Sequence, residues 1–301
     1  MSNRRSFWLS IATRLEQMGL HCGPLFAVSF VQEHGSPVDK LVLQQLSRLA
    51  PLEARMRWFR GLERLQNPDG GLSLNLAPGH PSSLNITLFS LTQLEYLDLL
   101  DEGADFVSGA VEFIISRQSE TDETDGSFSE NSQLPSESVP AWATPGDLHA
   151  TAYLTALASW WLLRLRPMEA ADSLRRALSY LNLHQGQDGR LPGFWHSTWL
   201  ATGAAALASD TGSTAAAAGL GALRARPDDD WDPGQAGWAL NCLLASGFGV
   251  RDVLWLARII CRKQGLTGGW SSEDGDEWAP WSTAQCLRGL KLLVDQTDTI
   301  G

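Results

Sequence analysis

Two kinds of helical segment alternate along most of this chain. Residues 55–65, 110–117 and 170–183 place charges on one face and apolar side chains at three- and four-residue spacing on the other. Residues 83–99, 149–165, 198–208, 235–244 and 282–294 are apolar or small-residue runs with few charges. A helix with one apolar stripe half-buries; a helix apolar all round is covered on every side. The first 50 residues also carry a helical pattern, broken at Gly19, at Gly23-Pro24 and at Gly35-Ser36-Pro37.

A recurring turn separates the two kinds of segment. It reads Q-N-P-D-G-G-L at 66–72, ends in D-G-S-F within 118–128, and reads Q-G-Q-D-G-R-L at 185–191. It returns as A-R-P-D-D-D-W at 225–231 and as Q-G-L-T-G-G-W at 264–270. Glycine permits positive φ, aspartate caps the next helix, and a final leucine or aromatic anchors the turn in the core. The spacing falls in the range of helical repeats. With the N-terminal helices it predicts about six hairpins: an all-α (α/α)6 toroid, buried helices inside and half-exposed helices outside, as one domain over 1–301.

The net charge of −11 argues against a nucleic-acid surface. No apolar run reaches membrane-spanning length. The N-terminal N-R-R-S-F-W-L has the letters of a twin-arginine signal, but Arg14, Glu16 and Gln17 interrupt the apolar stretch such a signal needs, so a cytoplasmic location is expected. Cys22, Cys242, Cys261 and Cys286 lack C-x-x-C spacing, and buried free thiols are expected. The compositional anomaly is thirteen tryptophans.

The candidate chemistry gathers before the buried helices. Asp228, Asp229, Asp230 and Asp232 crowd the fourth turn, and Asp232 before Pro233 reads as an N-cap with proline at the first helical position. With the buried helices parallel, their starts share one rim, which collects His80, Trp142, Asp147, His149, Trp195, His196, Trp231, Asp232, Trp278 and Trp281. Aromatic walls with a few convergent polar groups are the signature of a ligand site, and tryptophan faces can stabilise cations. Singly, each of these residues also reads as a turn anchor or a cap. Asp228, Asp229 and Asp232 spell D-D-x-x-D, a pattern that can hold Mg2+. Here it lies on a turn ended by Pro233 and coincides with the repeat. The acidic run 273–277 is a second carboxylate source, and equally a solvated loop.

The Q-x-x-D-G-x-W/F turns resemble the repeat of squalene-hopene cyclases, class II terpene cyclases and protein prenyltransferase β-subunits, over most of the chain from about Arg55. Complement-type thioester domains share the repeat, but C-G-E-Q is absent. The resemblance implies a class II D-x-D-D-T-A-x-x-x-W-A-L motif at the fourth buried helix. Aligned on Trp238-Ala239-Leu240, its outer aspartates match Asp229 and Asp232, while Trp231 stands at the proton donor. Against the prenyltransferase D-x-C-x-x-x-W, Asp232 matches, but Gly234 and Ser282 replace the zinc-binding cysteine and histidine, so no zinc site is expected. His149 and Arg226 fall near family residues that contact substrate diphosphate.

The resulting expectation is a terpenoid cyclase-like enzyme that cyclises or rearranges an apolar isoprenoid or polyene. Asp232 or Asp230 would be the acid, with Asp229 beside them. His149, His196, Arg226, Trp142, Trp195, Trp231 and Trp281 would bind substrate. A non-catalytic toroid binding an apolar ligand or a protein partner, and an α/α-barrel carbohydrate-active enzyme with paired carboxylates, are the alternatives.

Overall fold

The computed structural model describes residues 2–77, 79–121, 125–134, 139–209 and 213–298, without the side chains of residues 2, 3 and 298. Among the described residues, thirteen α-helices carry the chain: α1 (Ser2–Gln17), α2 (Pro24–His34), α3 (Pro37–Leu46), α4 (Leu52–Glu63), α5 (Leu84–Tyr96), α6 (Ala104–Ser116), α7 (Leu148–Leu165), α8 (Ala171–His184), α9 (Trp195–Ala208), α10 (Thr214–Ala225), α11 (Pro233–Ala245), α12 (Val250–Arg262) and α13 (Ala279–Asp298). Among the described residues the only sheet pairs β1 (Leu72–Ser73) with β2 (Ser82–Ser83), antiparallel. The fold class is all-α, as the repeat predicts.

The helices pack into two compact units, residues 56–223 and residues 1–55 with 224–301. Each shows the alternation read from the sequence. In the 56–223 unit, α7 is buried continuously from Ala150 to Leu162 and packs against α5, α8 and α9. Its neighbour α8 buries only Ser173, Leu174, Ala177, Tyr180 and Leu181, one stripe at helical spacing. In the other unit, α13 packs against α11, α12 and α1–α3. There α11 is buried along nearly its whole length, while α12 buries a single stripe from Val253 to Cys261.

The recurring turn is a repeated hydrogen-bonding device. Gln118 Nε2 donates to Gly126 O of its own turn at 2.9 Å and to Ser173 O, near the start of the next half-exposed helix, at 2.8 Å. Gln66 bridges Gly70 O and Phe106 O, Gln185 bridges Gly189 O and Ala215 O, and Gln264 bridges Gly268 O and Gly23 O. The anchor residue of each turn is tied inward as well. Leu72, Phe128, Leu191 and Trp270 donate their N–H groups to the hydroxyls of Thr87, Thr155, Thr198 and Thr283 in the buried helices that follow. Gly70 adopts φ +83°, and a Cβ there would sit 2.1 Å from Gly109 O of α6, so this turn presses on helix backbone and requires glycine. Each such bond contributes about 0.5–1.5 kcal/mol net. Together they fix where α5, α7, α9 and α13 begin.

Candidate active site

The fourth turn keeps the proline, aspartate and aromatic anchor, Pro227, Asp228 and Trp231, but loses the glutamine and glycines of the device. Ala225 replaces the bridging glutamine, and no glycine is present. Asp228–Asp230 forms a short 3-10 turn instead of a left-handed one. Cations take over the work of the missing amide. Lys263 Nζ donates to Asp229 O at 2.8 Å and to Trp231 O at 2.5 Å, and Arg262 pairs with the Asp228 carboxylate. Arg226, 8% exposed, donates to Asp230 O at 2.5 Å and to Gln235 Oε1 at 2.8 Å, and its guanidinium lies 4.5 Å from the centre of the Trp231 ring.

Asp232 caps α11. Its Oδ1 accepts from Gly234 N at 2.7 Å and Gln235 N at 3.2 Å, and Pro233 occupies the first helical position as predicted. Partial burial raises its pKa above the ordinary aspartate value and outweighs the two backbone bonds; Asp274 adds to the rise and Lys263 opposes it. Glu273 is drawn in by Gln235, whose Nε2 donates to Glu273 Oε2 at 2.5 Å. Its pKa is also raised, by desolvation first and then by Asp232 and Asp274, against the lowering effects of the Gln235 bond and Arg226. Asp274 is raised by desolvation and by Glu277. A carboxyl with a raised pKa thus sits at the head of α11, beside Glu273 and Asp274 and opposed by Lys263.

The other predicted residues fall in distinct settings. Asp229 and Asp230 are solvent-exposed on the 3-10 turn. The Trp231 ring is buried, with Arg226 on its face and Trp255 edge-on at 5.4 Å. Trp281 is buried in α13. In the 56–223 unit, Asp147 caps α7 through Ala150 N at 2.8 Å, and the exposed His149 meets Phe194 edge-on at 6.5 Å. The half-buried Trp195 lies under Arg190 at 4.3 Å. The half-buried His196 packs on Trp199 at 4.5 Å and Tyr153 at 6.0 Å. Trp142 is half-buried in the 3-10 turn Ala141–Ala143, while His80 is exposed.

The positions matching zinc ligands are held by packing. A Cβ on Gly234 would fall 2.6 Å from Ser282 Oγ, so small residues there let the heads of α11 and α13 approach. No group of three or more His, Cys, Asp or Glu side chains among the described residues is placed to hold a metal ion. Lys263, Gln235 and the inward role of Glu273 were not assigned from sequence. The one signal for Lys263 is its place directly before the bridging Gln264.

No family model matches the chain, and no curated protein matches its sequence. Its structure is similar to that of the type II terpene cyclase MstE from Scytonema: TM-score 0.61 at 14% identity, covering 95% of this chain and 99% of that one. A variant of that enzyme in complex with geranylgeranyl dihydroxybenzoate, its substrate, gives TM-score 0.58 at 14% identity over 96% and 99% of the chains. The complex with merosterolic acid A, its product, gives the same score, identity and coverage. The likeness shows the fold, that of the type II terpene cyclases. No helix among the described residues is long and apolar enough to cross a membrane.

Proposed function

We propose that this chain is a type II terpene cyclase-like enzyme that starts cyclisation of an apolar isoprenoid or polyene by protonating a carbon–carbon double bond. The observation that carries the reading is the capping Asp232, whose pKa is raised by burial at the head of α11, which favours its protonated form. Oδ1 is committed to two backbone amides, so the proton belongs on Oδ2. Transfer of that proton to the alkene leaves a carboxylate at the positive end of α11, where the amides and Lys263 stabilise it. The alkene π electrons form the new C–H bond, the cation is attacked by the next double bond, and loss of a proton ends the sequence. The family's donor position is Trp231, so the proposal moves the acid one residue, to Asp232.

Arg226 holds the turn through Asp230 O and Gln235, and is proposed to act by positioning. Trp195 and His196 are proposed as hydrocarbon contacts in their own unit. The fold of a geranylgeranyl-binding enzyme supports the substrate class. Asp232→Asn keeps the cap and removes the acid. It should abolish turnover of a geranylgeranyl-bearing polyene, whereas Asp230→Asn, on the exposed turn, should retain it. Loss with Asp230→Asn and retention with Asp232→Asn would reverse the assignment. Tight binding of the polyene without turnover by the unaltered chain would favour the binding-module alternative.

A further inference from the structure

The four cysteines, expected to be buried free thiols, are all free, three of them buried, and two of them meet. Cys22 lies in the segment before α2 and Cys261 at the end of α12, 239 positions apart in sequence, yet their sulfurs are 3.1 Å apart with the Cys261 thiol directed at Cys22. Cys22 is half-buried and Cys261 is 8% exposed. The backbone already holds them in register. Gln264 Oε1 accepts from Gly23 N at 2.6 Å, and its Nε2 returns a bond to Gly23 O at 3.0 Å. Gly23, next to Cys22, and Gln264, three residues after Cys261, are therefore clamped together, and reaching an S–S bond of about 2.05 Å requires the sulfurs to close by only about 1 Å. The sulfur contact with Cys22, and then burial, raise the Cys261 pKa, which leaves the more accessible Cys22 as the attacking thiol.

We propose that Cys22 and Cys261 are a redox-active pair that closes into a disulfide by exchange with a small-molecule disulfide such as oxidised glutathione. The Cys22 thiolate attacks one glutathione sulfur, forming a mixed disulfide and releasing one glutathione thiolate. The deprotonated Cys261 then attacks the Cys22 sulfur, forming the protein disulfide and releasing the second glutathione. The two protons lost by the protein are taken up by the two released thiolates, and the two electrons reduce the glutathione disulfide. The staple has a target. Arg262 and Lys263 directly follow Cys261 and hold Asp228, Asp229 O and Trp231 O. Oxidation therefore pins the strut that supports the acidic turn. The proposal does not depend on what that turn catalyses.

The folded full-length chain is treated with oxidised glutathione, and its intact mass, peptide map and thermal midpoint are measured. The expected product has lost two hydrogens, carries a Cys22–Cys261 peptide cross-link and melts at a higher temperature, reversibly on adding dithiothreitol. Cys261→Ser should stop at one retained glutathione on Cys22, and Cys22→Ser should take up none and show no shift in midpoint. A wild-type chain that retains glutathione on Cys22, or that loses Cys242 or Cys286 instead, overturns the pairing. A cross-link with an unchanged midpoint overturns the strut.

Discussion

Replacing Asp232 by asparagine separates its structural duty from its proton. Asparagine offers the same Oδ1 to Gly234 N and Gln235 N, now at 2.7 and 3.2 Å, so the cap survives. What is lost is the attraction of a carboxylate to the helix dipole, about 0.3–1 kcal/mol. What is gained is relief from holding a partly buried charge beside Glu273 and Asp274. The raised pKa says that the second effect exceeds the first. The sign follows from proton linkage. Unfolded, Asp232 titrates near its ordinary value of 3.8; folded, it titrates higher. Between the two the folded state binds more protons, so the carboxyl's contribution is full below 3.8 and is lost as pH rises through the folded value. Urea denaturation from pH 4 to 8 should find Asp232→Asn close to wild type at the acid end and equal or more stable at pH 8. Asp232→Ala, which loses the cap, should cost about 0.5–2 kcal/mol throughout. An asparagine variant that falls progressively below wild type as pH rises would mean a stabilised carboxylate, and would refute the argument for a proton-holding acid.

Gln118→Ala removes donations to Gly126 O and Ser173 O and acceptance from Ser173 Oγ and Arg176, so unfolding free energy should fall by about 2–4 kcal/mol. A loss below about 0.5 kcal/mol would show that the glutamine bridge does not hold the repeat. Lys263→Met removes the cation that lowers the Asp232 pKa and frees two carbonyls of the acidic turn. The Asp232 titration followed by carboxyl NMR should move further up; a downward move would place Lys263 outside its field.

The alternation of charged and apolar helices was legible because covered and half-covered helices differ in where they tolerate charge. Pro233 and the Gly19, Gly23 and Gly35 breaks were legible because each residue restricts or frees φ. The start of α9 at Trp195 precedes the expected 198, since the small-residue run gives no sharp onset. The two-residue ladder β1–β2 is too short to leave a periodic signal. The site was half legible. Asp232 announced itself by cap chemistry, and the fourth turn by its crowd of aspartates. Glu273 and Lys263 did not, because their roles come from tertiary approach: Gln235 reaching Glu273, and α12 delivering Lys263 to carbonyls more than thirty residues upstream. The Cys22–Cys261 meeting spans 239 positions, and no local spacing encodes it.

The central claim is that a carboxyl at the head of α11 delivers a proton to carbon. Incubating the chain with a geranylgeranyl-bearing polyene in deuterium oxide, and analysing products by mass spectrometry, tests it directly. The account predicts a cyclised product that carries one deuterium from the initiating acid, formed by wild type and not by Asp232→Asn. A cyclised product without deuterium, or one formed equally by the asparagine variant, would contradict it.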